Sequence, residues 1–185
     1  LEDPIRVFYF WQGGFVSIGA FLGSAISWFI YMKVRKLNVW RYLDLAVTGV
    51  PLIKFFVRLG CLLVGCCYGK PTDFFIHLVF TDPASTAGYY VPGESLHATQ
   101  IYSMANALIM WGVVLYAYKH RKFYGQVLCI FLMYYGVSRF LIEFLRGDTD
   151  RGMWFNGVLS TGQITMVFTF ILGVCLWAYL KRNRI

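Results

Sequence analysis

The sequence predicts an all-α membrane protein: a polytopic helical bundle with about five transmembrane spans, forming one integral membrane domain over residues 1–185. Three observations carry this. Of the 185 residues, 58% are hydrophobic and 14% charged, whereas a soluble domain averages about 25% charged residues. The apolar residues fall in runs of roughly the 20-residue length that crosses a bilayer. The net charge of +8 sits in short clusters between those runs, unlike a nucleic-acid-binding face, so no nucleic-acid partner is expected.

The first apolar run covers about 14–32 and is followed by Lys33-Val-Arg-Lys36. The second, about 39–57, is interrupted by Asp44, Pro51 and Lys54 and runs into Arg58. The third, about 97–118, precedes Lys119-His-Arg-Lys122; the fourth covers about 125–145; the fifth, about 161–180, ends at Lys181-Arg-Asn-Arg184. In an alternating chain the three basic clusters share one side, which the positive-inside rule makes cytoplasmic, with the C-terminus inside. The opening Leu1-Glu-Asp has no initiator Met and no signal-peptide pattern follows it, so further upstream sequence, spans included, is expected.

With that topology, Arg58 ends the second span on the outer side, and His97, Gln100 and Tyr102 begin the third there. In the fourth, Tyr135, Arg139 and Glu143 are spaced i, i+4, i+8 on one helix face, with Arg146 a turn further. Ser160, Gly162 and Gln163 open the fifth. Ionisable groups inside a membrane are costly and mark functional sites, so a shared polar cavity at the outer leaflet is expected. Arg146, near a helix end, can instead lift its guanidinium to the interface, so Arg139→Gln is expected to cost more than Arg146→Gln. The outer loop, about 70–96, has short-strand character over 73–80 and turns at Asp82-Pro83 and Tyr89-Tyr-Val-Pro-Gly93, with His77 an exposed strand residue.

Arginines facing lipid headgroups suit a phosphate clamp, because the guanidinium fork matches phosphate oxygens and keeps its charge when desolvated. His97 and Tyr102 offer proton transfer or hydrogen-bond donation. The stretch from Arg58 to Thr72 also holds Cys61, Cys66 and Cys67. Their spacing lacks the paired C-x2-C of structural zinc, so no metal and no cofactor are expected. A disulfide from Cys61 and a thiol nucleophile, its pKa lowered by Arg58 or Lys70, both stay open, as does inert packing. Cys129 and Cys175 lie mid-span and read as packing residues.

Taken in order, these segments resemble the bacterial prolipoprotein diacylglyceryl transferase family. Trp11-Gln-Gly-Gly14 is similar to its Trp-x-Gly-Gly. Arg58-Leu-Gly60 with Gly65 and Gly69 is similar to its Arg-x-Gly-Asn-Phe-x-Asn-Gly-Glu-x-x-Gly signature. His97-Ala-Thr-Gln-Ile-Tyr102, Tyr135-Gly-x-x-Arg139-x-x-x-Glu143-x-x-Arg146 and Ser160-x-Gly-Gln163 are similar to three further motifs. The resemblance implies a membrane transferase moving the diacylglyceryl group of phosphatidylglycerol to the cysteine thiol of a prolipoprotein signal peptide, at the outer leaflet of the bacterial inner membrane. It implies catalytic roles for Arg58, Arg139, His97, Tyr135 and Glu143, and substrate contacts for Gly14, Gln100, Tyr102, Arg146 and Gln163. The chain departs from the family at Ile18, where members carry histidine, and at Cys61 and Cys66, where members carry Asn and Glu. A different acceptor, a cysteine-based mechanism, and a non-catalytic lipid-binding or transport protein are the alternatives these departures leave.

Overall fold

The computed structural model describes residues 16–147, 153–154 and 159–183; Trp11-Gln-Gly-Gly14 lies outside them. In chain order the elements are α1 (Val16–Val34), α2 (Val39–Val64), β1 (His77–Val79), α3 (Thr86–Tyr90), β2 (Ser95–His97), α4 (Thr99–Lys119), α5 (Gln126–Glu143), β3 (Met153–Trp154), β4 (Leu159–Ser160) and α6 (Thr161–Asn183). Two units result, Leu1–Val39 and Trp40–Ile185.

The first unit holds α1, 19 residues long, which overlaps the first expected span and runs two residues past its expected end. Lys36 at φ 54° turns the chain out of it, and Leu37 N donates to Met32 O at 3.0 Å. In the second unit, α2, α4, α5 and α6 are each long and apolar enough to cross a membrane. Their burial is inverted relative to a soluble protein. Phe56, Leu63, Ile109, Tyr116 and Phe168 are exposed, whereas Asp44, Thr99, Gln100, Ser103, Glu143, Ser160 and Gln163 are buried. Lipid accepts the apolar surface and offers nothing to the polar groups, which therefore pair inside.

Helices α5 and α6 approach closely because glycines stand at their contact. A side chain at Gly136 would meet Met166 O at 2.9 Å, and one at Gly173 would meet Met133 Cγ at 2.9 Å. Small residues at such contacts let backbones meet where lipid supplies no hydrophobic drive. Val47 of α2 packs with Met110, Val114 and Ala117 of α4 and Val127 of α5. At the same end Asp44 accepts hydrogen bonds from Gly125 N at 2.8 Å and Leu128 N at 3.0 Å, and lies 3.8 Å from Arg121. It thus caps α5 with a side chain from α2, satisfying amides that a helix start leaves free. Gly125 (φ +87°) lies against Leu180 and Trp40, so the start of α2, the start of α5 and the end of α6 share one end of the bundle.

The second span is longer than expected. Helix α2 runs through Pro51, Arg58 and Gly60 to Val64 instead of stopping near 57. Gly60 faces open space, and the helix ends only at Gly65, whose φ of +68° no L side chain adopts easily. Arg58 therefore lies inside the helix, about two turns before its end. His97, expected to begin a helix, belongs to β2, and the strand expected over 73–80 contracts to His77–Val79. Tyr89 and Tyr90 fall in α3, capped by Ser85 Oγ accepting from Gly88 N, and not in a turn.

Asp44 is the polar tie of the far end, so its loss should loosen the bundle. Asp44→Ala is expected to lower the thermal unfolding midpoint in detergent, at a cost of about 3 kcal/mol, because two amides and Arg121 lose their acceptor. Asp44→Asn, which keeps one acceptor oxygen, should lower it less.

Candidate functional site

At the opposite end, the chain leaving α2 becomes the centre of a small sheet. Gly65 N donates to Leu62 O at 3.2 Å and Cys66 N to Cys61 O at 3.1 Å, the paired bonds of a Schellman helix stop. The next turn is held from the first turn of α4: Gln100 Nε2 donates to Cys66 O at 2.9 Å and Thr99 Oγ1 to Cys67 O at 2.8 Å. Residues 68–72 then run between β2 and the chain leaving α5. Lys70 N donates to Leu145 O (2.9 Å), Gly147 N to Tyr68 O (3.1 Å), His97 N to Lys70 O (2.9 Å) and Thr72 N to Ser95 O (2.8 Å). With β1 paired to β2 in the register His77↔His97, the order is β1, β2, 69–71, 145–147. Gly69 bridges to Arg146 and lies against His97 so closely that any side chain would collide. This ribbon brings the His97 and Arg146 segments together.

Arg146 adjoins the ion cluster of α5. Arg139 Nη2 lies 2.8 Å from Glu143 Oε2, Arg146 Nη1 lies 3.7 Å from the same oxygen, and Ser160 Oγ donates to Glu143 Oε1 at 3.3 Å. The Arg146 side chain is only 12% exposed. Simple snorkelling therefore does not describe it: the turn after α5 folds back onto residues 68–70 and keeps its guanidinium by the carboxylate. Arg58 and Lys54 of α2 bear electrostatically on Arg139 and on one another. Lys54 Nζ stands 4.3 Å over the Tyr135 ring, which stacks on Phe131. Among the described residues, Lys54 Nζ and Arg139 Nη1 are buried without a hydrogen-bond partner. Arg139 is thus the common neighbour: it pairs with Glu143, as Arg146 does, and Arg58 and Lys54 bear on it from α2.

The Ser160–Gln163 motif is a capping box: Ser160 N donates to Gln163 Oε1 at 2.9 Å and Gln163 N to Ser160 Oγ at 3.2 Å. Gly162 leaves room for Glu143, whose Oε1 would stand 3.4 Å from any Cβ there. Tyr102 OH donates to Ile76 O at 2.8 Å and pins the strand β1. Gln100, Gln163 and Tyr102, expected to meet substrate, hence make their described hydrogen bonds within the protein, mostly to its own backbone. His97 keeps a buried Nδ1 with no partner among the described residues, between the Phe74 and Tyr102 rings, each 6.3 Å away. His77 is the exposed strand residue expected. Gly14 lies outside the described residues, and Ile18 falls within α1.

Lys54 was not among the expected site residues, and Ser160 was placed at the expected cavity without a role. Lys54 carried a signal, a lysine in the middle of an apolar run. The bond of Thr99 to the Cys67 carbonyl and that of Ser160 to Glu143 join segments distant in sequence, which spacing alone does not reveal.

The three cysteines are thiols whose Sγ atoms all lie within 4.8 Å of one another. Burial, then hydrogen bonding with Cys61, pushes the Cys66 thiol up to about 12. Of the three readings left open for these cysteines, the raised Cys66 thiol does not favour a nucleophile at neutral pH, since desolvation beside other sulfurs disfavours the thiolate. The spacing that argued against a metal does not keep the sulfurs apart either.

The family profile described as prolipoprotein diacylglyceryl transferase matches residues 1–179. The phosphatidylglycerol–prolipoprotein diacylglyceryl transferase of Clostridium tetani is 40% identical over 163 residues, 87% of this chain and 62% of the relative. A second such transferase, from Clostridium perfringens, is 35% identical over 96% of this chain and 66% of its own length. One from Campylobacter hominis is 34% identical over 99% and 64%. The chain thus spans slightly less than two thirds of the length of these relatives.

A thiol raised to about 12 stays protonated through neutral pH. At pH 8 the Cys66 thiolate is therefore far scarcer than that of an unperturbed cysteine, of which about 1 in 4 is ionised. Alkylation of metal-free protein, read by peptide mass spectrometry, should therefore be slow at Cys66 and quicken only as pH rises towards 12.

Proposed function

The chain belongs to the prolipoprotein diacylglyceryl transferase family, and from that premise we propose that it moves the diacylglyceryl group of phosphatidylglycerol to the cysteine thiol of a prolipoprotein signal peptide. The observation that carries this reading is the group of cations about Arg139: Arg146 shares its partner Glu143, and Arg58 and Lys54 bear on it from α2. Such a cluster retains positive charge in a region of low dielectric, and a phosphate is the anion that guanidinium forks fit best.

The chemistry follows from where charge develops. The acceptor sulfur attacks the glyceryl carbon that bears the phosphate ester oxygen. The C–S bond forms, the C–O bond breaks, and the electron pair leaves with glycerol phosphate, which gains a negative charge. Arg58 and Arg139 take up that charge, with Lys54 and Arg146 beside them, and fixed cations in a desolvated site are the efficient way to do so. Glu143 orients Arg139 and Arg146, and Ser160 orients Glu143. Tyr135 holds Lys54 against its ring. The proton of the acceptor thiol goes to His97 Nδ1, which is unpartnered among the described residues; Ile18 occupies the position of the family's histidine. Gln100, Tyr102 and Gln163 shape the surrounding ribbon and helix ends. An apolar groove of about 200 Å³ between α5 and α6, lined by Gly136, Val137, Phe140, Leu141, Met166, Val167 and Phe170, suits an acyl chain. The raised Cys66 thiol weighs against a mechanism in which this chain's own cysteine attacks.

The orientation rests on charge. Lys119 ends α4, with Arg121 and Lys122 just beyond it, and Lys181 and Arg182 lie in the last turn of α6, at the bundle end away from Glu143. The positive-inside rule makes that end cytoplasmic, with the C-terminus, and directs the site to the outer leaflet of the inner membrane.

Transfer is measured by mass spectrometry of a lipobox peptide incubated with phosphatidylglycerol and purified protein. Arg139→Gln is expected to lower the rate at least ~100-fold, the usual cost of one fixed donor to developing charge. Arg146→Gln should also lower it clearly, by ~10-fold or more, since it shares Glu143. Cys66→Ala should retain activity. A wild-type rate in Arg139→Gln would contradict the assignment.

A further inference from the structure

We propose that Cys61, Cys66 and Cys67 form a three-thiolate site for a soft, low-coordinate metal ion, Cu(I) being the best match. The helix stop builds it. In a Schellman motif the third residue from the helix end and the second residue beyond the stop come face to face, usually as an apolar pair. Here those two positions are Cys61 and Cys66, joined by the Cys66 N to Cys61 O bond of 3.1 Å. Cys67 follows at φ 57°, a left-handed conformation that favours glycine. It carries a thiol there instead, and the thiol joins the other two.

The Sγ atoms lie within 4.8 Å of one another. Thiolates about 2.3 Å from a shared metal stand about 4 Å apart, so closing on an ion needs shifts of less than about 1 Å. The backbone around them is already held, since Gln100 and Thr99 bond the carbonyls of Cys66 and Cys67. Among the described residues no histidine or carboxylate joins this group. Three soft ligands without a fourth favour trigonal Cu(I) over four-coordinate Zn²⁺, and exclude hard cations that need oxygen. Binding replaces each S–H by an S–metal bond and sends the proton to solvent, with no change of oxidation state. Arg58, three residues before Cys61 on α2 and so on the same helix face, offsets part of the negative charge that results. The site needs neither phosphatidylglycerol nor an acceptor, so its test is independent of turnover.

Purified protein in detergent, kept anaerobic and reduced, is titrated with Cu(I) buffered by bicinchoninate. The expected result is one tightly held equivalent, a near-ultraviolet sulfur-to-metal charge-transfer band, proton release, and protection of Cys61, Cys66 and Cys67 from alkylation. Cys66→Ser and Cys67→Ser should each lose the band, while Cys175→Ser keeps it. Failure of the wild type to take Cu(I) from the chelator would overturn the proposal. So would an unchanged band in Cys66→Ser or Cys67→Ser, a preference for Zn²⁺ over Cu(I), or a Cys61–Cys66 disulfide in freshly purified protein.

Discussion

The carboxylate of Glu143 is the constraint on which the site end of the molecule depends. It is 5% exposed and receives Arg139, Arg146 and Ser160 from three segments: α5, the turn after it, and the start of α6. A buried charge of this kind is tolerable only with partners, and removing one leaves the others uncompensated. The same group is unbalanced towards positive charge, because Arg58 and Lys54 also bear on Arg139. A second anion relieves that imbalance. That excess of positive charge is the physical basis of the proposed phosphate site.

Glycine makes the rest of the arrangement possible. Gly136 and Gly173 let α5 and α6 meet, Gly162 admits Glu143 to the start of α6, and Gly69 and Gly147 let three backbone segments lie side by side. The ribbon through Gly69 links the His97 strand to Arg146, while Gln100 and Thr99 hold the turn that precedes it. Side chains named by motif are therefore of two kinds. Arg139, Arg146 and Glu143 form the charged group itself, whereas Gln100, Tyr102, Ser160 and Gln163 hold backbone so that the charged group keeps its place.

Hydropathy located the helices well, because lipid imposes a length and a polarity that a sequence displays directly. It mistook the end of α2, since Arg58 and Gly60 look like exit signals when neither is needed to stop a helix; the positive φ of Gly65 does that. The i, i+4 spacing of Tyr135, Arg139 and Glu143 was legible because helix geometry alone sets it. The burial of Arg146 is set by the fold of the following turn and not by its distance from the helix end, so spacing does not show it. The nearness of Cys61 to Cys66 was among the readings left open, and the helix stop at Gly65 is what brings the two together. Lys54 was visible as a charge in an apolar run, but its position over Tyr135 is a tertiary fact.

The claim that the cations around Glu143 bind a phosphate of an anionic lipid is tested most directly by lipid retention. Wild-type protein and a Lys54→Met/Arg139→Gln variant are offered equal phosphatidylglycerol and phosphatidylethanolamine in detergent, and native mass spectrometry reads the bound lipid. The account predicts that the wild type retains phosphatidylglycerol preferentially and that the variant, still folded by circular dichroism, loses the preference. Equal preference in both proteins would contradict it.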